Sequence, residues 1–455
     1  YGMMCSEREL EISDEHDGII EIDENVKVGS SFLEWSGLGD PVITIGITPN
    51  RADCLGVRGI ARDLAASGFG KLKPLKIKEI KGSFESPKQF SISEELNTKK
   101  LVPSLTSRYF RGLNNNQSPK WMQQRLIAIG QRPISALVDI TNYVMFDLNR
   151  PLHAYDGLNI SGDKLDIRYA KQNEKIKTLN DKQYLLSDDD IIISDAIGAD
   201  DLAGIMGGAR TGVSDKTKEM FLEIAIFDPI SISKTGRKIN LNSDARYRFE
   251  RGLDQECPRW VHNHVTNLVL DICGGEVSYP QHIGSGANWN REIKFNVDSV
   301  LKLTGVEVEE NKINQILNDL GFEVKKTETT WTVSPPPWRN DIDGSADLVE
   351  EIIRIYGYEN IPEAKLFDKN VIPKPAINRE NKRLNSVKSM LASRGFYESI
   401  SYSFLSSKDA KIFVEGDLTN LIISNPISSD LDCMRPSLLP NLLSSSSRNF
   451  KKGFE

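Results

Sequence analysis

Apolar residues recur at helical spacing in four stretches of the chain. Val57, Ile60, Ala61 and Leu64 share one face of a predicted helix that Gly68 stops. Met122, Leu126 and Ile129 form a second stripe after Ser118 as cap and Pro119 at the first position, with Gly130 as the end. Val261, Val265, Leu268 and Ile272 form a third, closed by Gly274-Gly275, and Ile313, Ile316, Leu317 and Leu320 a fourth, closed by Gly321. Strand-like runs fall at 42–47, 165–169, 190–194 and 221–227, separated by turn clusters such as Asn180-Asp181 and Met206-Gly207-Gly208.

These patterns divide the chain. Residues 1–40 are rich in Glu, Asp, Gly and Ser and read as the tail of a domain. Residues 41–104 hold a strand, a helix and a charged linker or edge hairpin. A mixed unit spans 105–288, and a smaller one spans 289–363 as helix, helix, hairpin, then a helix over 345–356. That order is winged-helix-like. A proline-bearing linker at 362–378 precedes a further domain from 379 to 455. The fold class is α+β and multidomain. The chain starts at Tyr1 and stops at Glu455 after a Ser-rich stretch, and both ends read as cut.

Composition narrows the function classes. The 455 residues are 39% hydrophobic and 27% charged, enough for several cores and far from a disordered composition. A net charge of −7 means that any nucleic-acid contact is a local basic patch; 234–251, with Lys234, Arg237, Lys238, Arg246, Arg248 and Arg251, is the candidate. No apolar run reaches the ~18 residues of a membrane helix. Five scattered cysteines without a CxxC pair fit a reduced, cytoplasmic setting. Phosphate-loop, nucleophile-elbow and HExxH motifs are absent.

What remains is polar residues in unusual settings. His153 lies in Pro151-Leu152-His153-Ala154-Tyr155-Asp156, either as a structural loop histidine or as a functional one. Glu223 lies inside an apolar strand. It faces solvent, or it faces inward, where a carboxylate is costly unless paired or used to bind a polar group. The glycines of 203–208 form a plain turn or let another molecule approach the backbone. Asp341, Asp347, Glu350 and Glu351 cluster about a helix start. Arg354, four residues after Glu350, could offset them, or a hard cation such as magnesium could.

Together these stretches resemble one family. Ile47–Leu55 (ITPNRADCL), Arg58–Leu64 (RGIARDL), 138–143 with 151–156, the 203–208 turn, 222–227, Arg248-Phe249-Glu250-Arg251-Gly252, Pro337-Trp338-Arg339, 347–362, and Asn425-Pro426-Ile427-Ser428 with 434–440 resemble, in order, bacterial phenylalanyl-tRNA synthetase beta subunits.

The resemblance implies a subunit that works with an alpha partner in an (αβ)2 heterotetramer. That assembly charges tRNA(Phe) at the alpha site with ATP as substrate. The beta subunit would carry an editing site that hydrolyses Tyr-tRNA(Phe). A pocket for an apolar side chain rejects an analogue with one added hydroxyl by only ~100-fold, so a second hydrolytic site is needed. On this resemblance Glu223 reads the tyrosine hydroxyl. His153 lies near the ester and its attacking water, with Ser243 and Ala245 completing the wall. Gly204 and Gly207 admit the amino acid, and Arg132 and Asn142 hold the terminal adenosine or the amino group.

The resemblance also implies a magnesium ion (Mg2+) at Asp341, Asp347, Glu350 and Glu351, shared with alpha. It makes 1–40 the tail of a tRNA-binding OB domain, 105–288 the editing domain and 379–455 a class II synthetase-like domain without catalytic residues. Ser243 stands where the family usually has Thr, and Arg246 where it has a small residue. These departures leave a second reading open, a tRNA-binding scaffold with an inactive pocket.

Overall fold

The computed structural model describes residues 2–12, 15–22, 25–284, 286, 289–327, 330–363 and 374–454. Most of the expected 362–378 linker lies outside them. The chain forms two compact units, Tyr1–Glu363 and Ala364–Glu455, and mixes helix and sheet in the first.

The centre of the first unit is an antiparallel sheet ordered Glu276–Val277, Ser104–Arg111, Glu219–Ile226, His153–Asp156, with Gln281–Ile283 also paired to Ser104–Arg111. Period-two alternation along Glu219–Ile226 sends successive side chains to opposite faces. Met220, Leu222 and Ile224 pack with Ile140, Val144, Val261 and Val265 of the helices Ala136–Leu148 and Pro258–Cys273. Phe221 and Ala225 face the other way, into a core with Phe90, Tyr155, Leu165 and Ile193. That second core is shared with another sheet, ordered Gln89–Ile92, Lys164–Tyr169, Ile191–Ser194, Ala199–Leu202, Met206–Gly207. Its first pair is parallel and the rest are antiparallel. Both faces of Glu219–Ile226 are therefore buried, and Glu223 has no solvent face to occupy.

A three-stranded sheet, Ile293–Phe295, Trp331–Ser334, Glu323–Lys326, packs with the helices Asp298–Thr304, Glu310–Asp319 and Ser345–Tyr356 around Phe295, Ile316, Leu317, Val333 and Ile352. The helix expected over 345–356 has those bounds. Its strand Ile293–Phe295 has no counterpart in the sequence reading. The second unit holds the helices Arg379–Ser393 and Leu439–Lys451 and the pair Phe404–Leu405 with Cys433–Met434.

Four expectations fail locally. No strand forms over 42–47: Val42 and Ile43 are exposed and no partner strand reaches them. The helix Val57–Ala66 forms, yet Val57 and Leu64 point to solvent, and only Gly59 is buried. A Cβ on Gly59 would meet the Asp53 carbonyl oxygen at 1.9 Å, so close backbone packing, and not the apolar stripe, docks this helix. Ser118 does not cap the helix Lys120–Ala128, because its hydroxyl donates to Asp139 Oδ2 at 2.5 Å. His153 belongs to a strand and not to a loop.

Candidate functional site

In the central sheet Glu223 lies opposite His153 on one neighbour and Ser107 on the other. Directly opposed residues share a face, so Glu223 and His153 both point toward the second sheet. There they line a small cavity with Pro151, Leu152, Asp201, Gly204, Ile205, Met206, Gly207, Phe227, Ala245 and Phe249. Its volume is ≈ 50 Å³, room for a few water molecules. A larger guest requires side chains to move.

Two glycines shape the wall for different reasons. Gly204 has φ +68°, and a Cβ there would come within 3.0 Å of Phe227 and 3.2 Å of Phe249. Gly207 has an ordinary backbone, but its face carries the imidazole of His153: a Cβ would meet Cε1 at 2.1 Å. Ser243 caps the helix Asp244–Phe249 by accepting from the Arg246 N–H at 3.0 Å and donates to the Ile205 carbonyl at 2.6 Å. It thus ties the helix bearing Ala245 to the cavity wall without lining the cavity itself.

The electrostatics of the cavity are unusual. Glu223 is 5% exposed, and its carboxyl has no hydrogen-bond partner among the described residues. Burial pushes it up to about 8; the Asp201 charge adds to this, and Arg150 opposes it. Asp201 is fully enclosed. Burial raises its carboxyl, while His153 and the Tyr155 hydroxyl, which donates to Oδ2 at 3.0 Å, pull it back. His153 Nε2 lies 3.7 Å from the same oxygen and is buried without a partner. The His153 ring also meets Tyr155 edge-on at 4.4 Å between centroids. Arg150 is fully buried, donates to the Ala225 carbonyl and lies 5.6 Å from the Phe249 ring centre.

Asp201, Tyr155 and Arg150 carry no role in the sequence reading. A signal existed for Asp201: two adjacent acids, Asp200 and Asp201, immediately precede Leu202-Ala203. Arg132 and Asn142 do not line the cavity. Arg132 is exposed in a loop, and Asn142 sits on the helix that covers the opposite face of the sheet. The 234–251 segment is not an open basic patch either. Arg246 and Arg248 are buried against Glu250 and Asp244, Arg251 pairs with Glu250, and Lys238 pairs with Asp189 and Asp190. Only Lys234 and Arg237 remain exposed without a charged partner among the described residues. Arg246 turns away from the cavity, toward Gly236 and the Leu241 carbonyl.

Glu223 supplies a pH test. The folded state holds its proton more tightly than the unfolded chain does, so the stability this provides is full below the ordinary value of 4.5 and is lost as pH rises through about 8. Glu223→Gln stays neutral throughout. The variant should therefore lose less thermal stability than wild type between pH 6 and pH 9. An unchanged pH dependence would show that Glu223 is not a buried, proton-holding carboxyl.

The four carboxylates near 341–351 are not gathered for a metal. Arg339 holds Asp341 with both Nε and Nη2 at 2.8 Å and also bonds Glu351. Arg354 holds Glu351 at 2.8 Å and continues to Asp63 at 2.8 Å. Arg354 thus pairs with Glu351 and not with Glu350. Although burial pushes Glu351 up, Arg354 and Arg339 outweigh it and hold the carboxyl at about 2. Asp347 accepts from the Asp343 and Gly344 backbone at the start of its helix, and Glu350 is exposed. Guanidiniums meet Asp341 and Glu351 and backbone N–H groups meet Asp347, which leaves Glu350 alone without such a partner among the described residues, so the four do not form a donor set that fits magnesium. Among the described residues one set, Asp53, Cys54 and Asp63, lies close enough to hold an ion. Arg51 occupies both carboxylates at 2.9 Å, and burial, aided by Asp53, pushes the thiol up to about 12, so it stays protonated.

The comparisons with known proteins agree along the chain. Residues 101–274 match the B3/4 domain, 293–358 the tRNA synthetase B5 domain and 367–455 the phenylalanyl tRNA synthetase beta chain CLM domain. The chain is 45% identical over 454 residues to the phenylalanine–tRNA ligase beta subunit of Paramagnetospirillum magneticum, covering 100% of this chain and 56% of that one. The corresponding subunit of Mesorhizobium japonicum is 44% identical over 453 residues, with the same coverage. The chain spans about half the length of the curated relatives it matches. Among the described residues no helix is long and apolar enough to cross a membrane.

Proposed function

The chain belongs to the phenylalanine–tRNA ligase beta-subunit family, and from that premise we propose that its 101–274 domain hydrolyses Tyr-tRNA(Phe). The observation that carries the reading is the buried Glu223 carboxyl, without a protein hydrogen-bond partner, facing one cavity with His153 and the Gly207 backbone. A carboxyl enclosed in this way needs a polar guest to offset its desolvation. The phenolic hydroxyl of tyrosine supplies one, and phenylalanine does not. Since a guest larger than a few waters needs the walls to yield, the proposal includes side-chain movement on binding.

The reaction is ester hydrolysis. Water oxygen adds to the ester carbonyl carbon, the ester C–O bond breaks, tyrosine leaves as its carboxylate, and the terminal ribose hydroxyl of the tRNA takes back a proton. His153 stands beside this water. Glu223 anchors the far end of the amino acid, which orients the ester.

The subunit works with an alpha partner in an (αβ)2 heterotetramer in the cytoplasm, where charging of tRNA(Phe) uses ATP at the alpha site. The 293–358 domain, a strand followed by two helices, a hairpin and a last helix, is read as winged-helix-like, and the 367–455 domain as a class II synthetase-like fold that serves subunit contact.

The test is single-turnover deacylation of Tyr-tRNA(Phe) by the assembled enzyme beside Glu223→Ala and His153→Ala. Wild type should hydrolyse it. Glu223→Ala should lose at least about tenfold in its preference for tyrosyl over phenylalanyl ester, as follows when a polar partner for a substrate hydroxyl is removed. An assembled enzyme that charges phenylalanine yet leaves Tyr-tRNA(Phe) intact would make the domain an inactive scaffold.

A further inference from the structure

The cavity contains a second carboxylate that the proposed reaction has not used. Asp201 is fully buried, lines the same cavity as Glu223 and lies on the strand Ala199–Leu202 opposite Gly207. Three contacts tie it to His153. The Tyr155 hydroxyl donates to Asp201 Oδ2 at 3.0 Å, the Tyr155 ring meets the imidazole edge-on at 4.4 Å, and His153 Nε2 is 3.7 Å from Oδ2. That nitrogen is buried and bonds to nothing. No other carboxylate is paired with it among the described residues. A buried ring nitrogen beside a buried carboxylate oxygen, just beyond hydrogen-bond length, closes to a bond by a small rotation of the ring.

Resting on the editing reading above, we propose that Asp201 is the positioning residue of His153. Its carboxylate, held by the Tyr155 hydroxyl, takes the Nε2–H and leaves Nδ1 as the nitrogen free to accept a proton from the attacking water. The bond made by one ring nitrogen sets which nitrogen carries the proton, and a base oriented by a third group is the general arrangement for activating a nucleophile. The proton taken by Nδ1 is returned to the ribose oxygen as the ester C–O bond breaks, so the imidazole ends the cycle neutral. Asp201 acts on the reaction through His153.

The test is a double-mutant cycle in the assembled enzyme, read as single-turnover deacylation of Tyr-tRNA(Phe). Asp201→Asn keeps the shape and removes the charge. It should lower the rate at least about tenfold, a fraction of what a positioned base contributes, and leave the affinity for the mischarged tRNA unchanged. In a His153→Ala background the same change should do nothing further, since residues that act as a unit are not additive. Tyr155→Phe, which frees Asp201 without altering it, should give a smaller loss that also vanishes without His153. Equal losses with and without His153 would reduce Asp201 to a structural role and overturn the proposal while leaving the editing reading intact. Absence of wild-type hydrolysis would instead remove the editing reading itself.

Discussion

Arg339→Leu should destabilise the first unit by about 3–5 kcal/mol in denaturant unfolding, the range for removing one partner of a buried ion pair. The side chain is 2% exposed, and it satisfies two carboxylates at once, Asp341 and Glu351. Leucine leaves Asp341 enclosed without its bidentate partner and Glu351 with Arg354 alone. The Glu351 carboxyl, held at about 2 in the folded state, should then move up, because burial remains while one guanidinium is gone. Exchanging all three residues for apolar ones of similar volume should recover most of the loss, since a fully apolar replacement of a buried ion group is close to neutral. Tryptophan fluorescence would follow the transition, with Trp331 in the adjacent core and Trp338 one residue before Arg339. A loss below about 1 kcal/mol, the scale of an exposed pair, would mean that these charges are solvated.

Gly207→Ala should lower deacylation of Tyr-tRNA(Phe) by about 100-fold, the scale expected when a reacting group is displaced by about 1 Å. Its backbone conformation suits alanine, so the effect does not arise from strain. The added methyl would stand 2.1 Å from His153 Cε1 and 2.7 Å from Nε2, and the ring must leave its place beside Asp201. His153 is partly open to solvent, with 17% of its side chain exposed, so the ring has somewhere to go. The fold should tolerate the change with a small shift in thermal midpoint. Full deacylation activity in this variant would show that the position of the imidazole does not matter.

The difference between those two variants reflects what was legible in the sequence. Glu223 stood out because a carboxylate inside an apolar strand is conspicuous, and the structure adds only that both faces of that strand are covered. The helices Pro258–Cys273, Glu310–Asp319 and Ser345–Tyr356 were readable because each buries one stripe against one sheet or helix layer. The helix Ala136–Leu148 was not read as a helix, since it carries apolar residues around much of its circumference and lacks a clear stripe. The stripe on Val57–Ala66 was clear, but its ends Val57 and Leu64 face outward and Ile60 and Ala61 are only half-buried, which spacing alone cannot report. Asp201 was hidden because a run of acids beside a turn is commonly solvated; its burial depends on strands distant in sequence. The carboxylates near 341–351 left a cation open because spacing alone does not show that Arg339 folds back to meet both Asp341 and Glu351, nor that Arg354 meets Glu351 and reaches on to Asp63, 291 residues away.

That separation bears on how the chain is made. Asp63 bonds to Arg51 and Arg354, and Arg62 stacks on Trp338 at 4.0 Å. The stretch from 51 to 63 therefore completes its contacts only after residues near 354 have left the ribosome. At about 5–20 residues per second, a delay of 291 residues amounts to roughly 15–60 s. Over that interval Asp63 has Arg51 but not Arg354, and Arg62 has no Trp338 ring to stack on, so the short helix waits on distant residues to finish its docking.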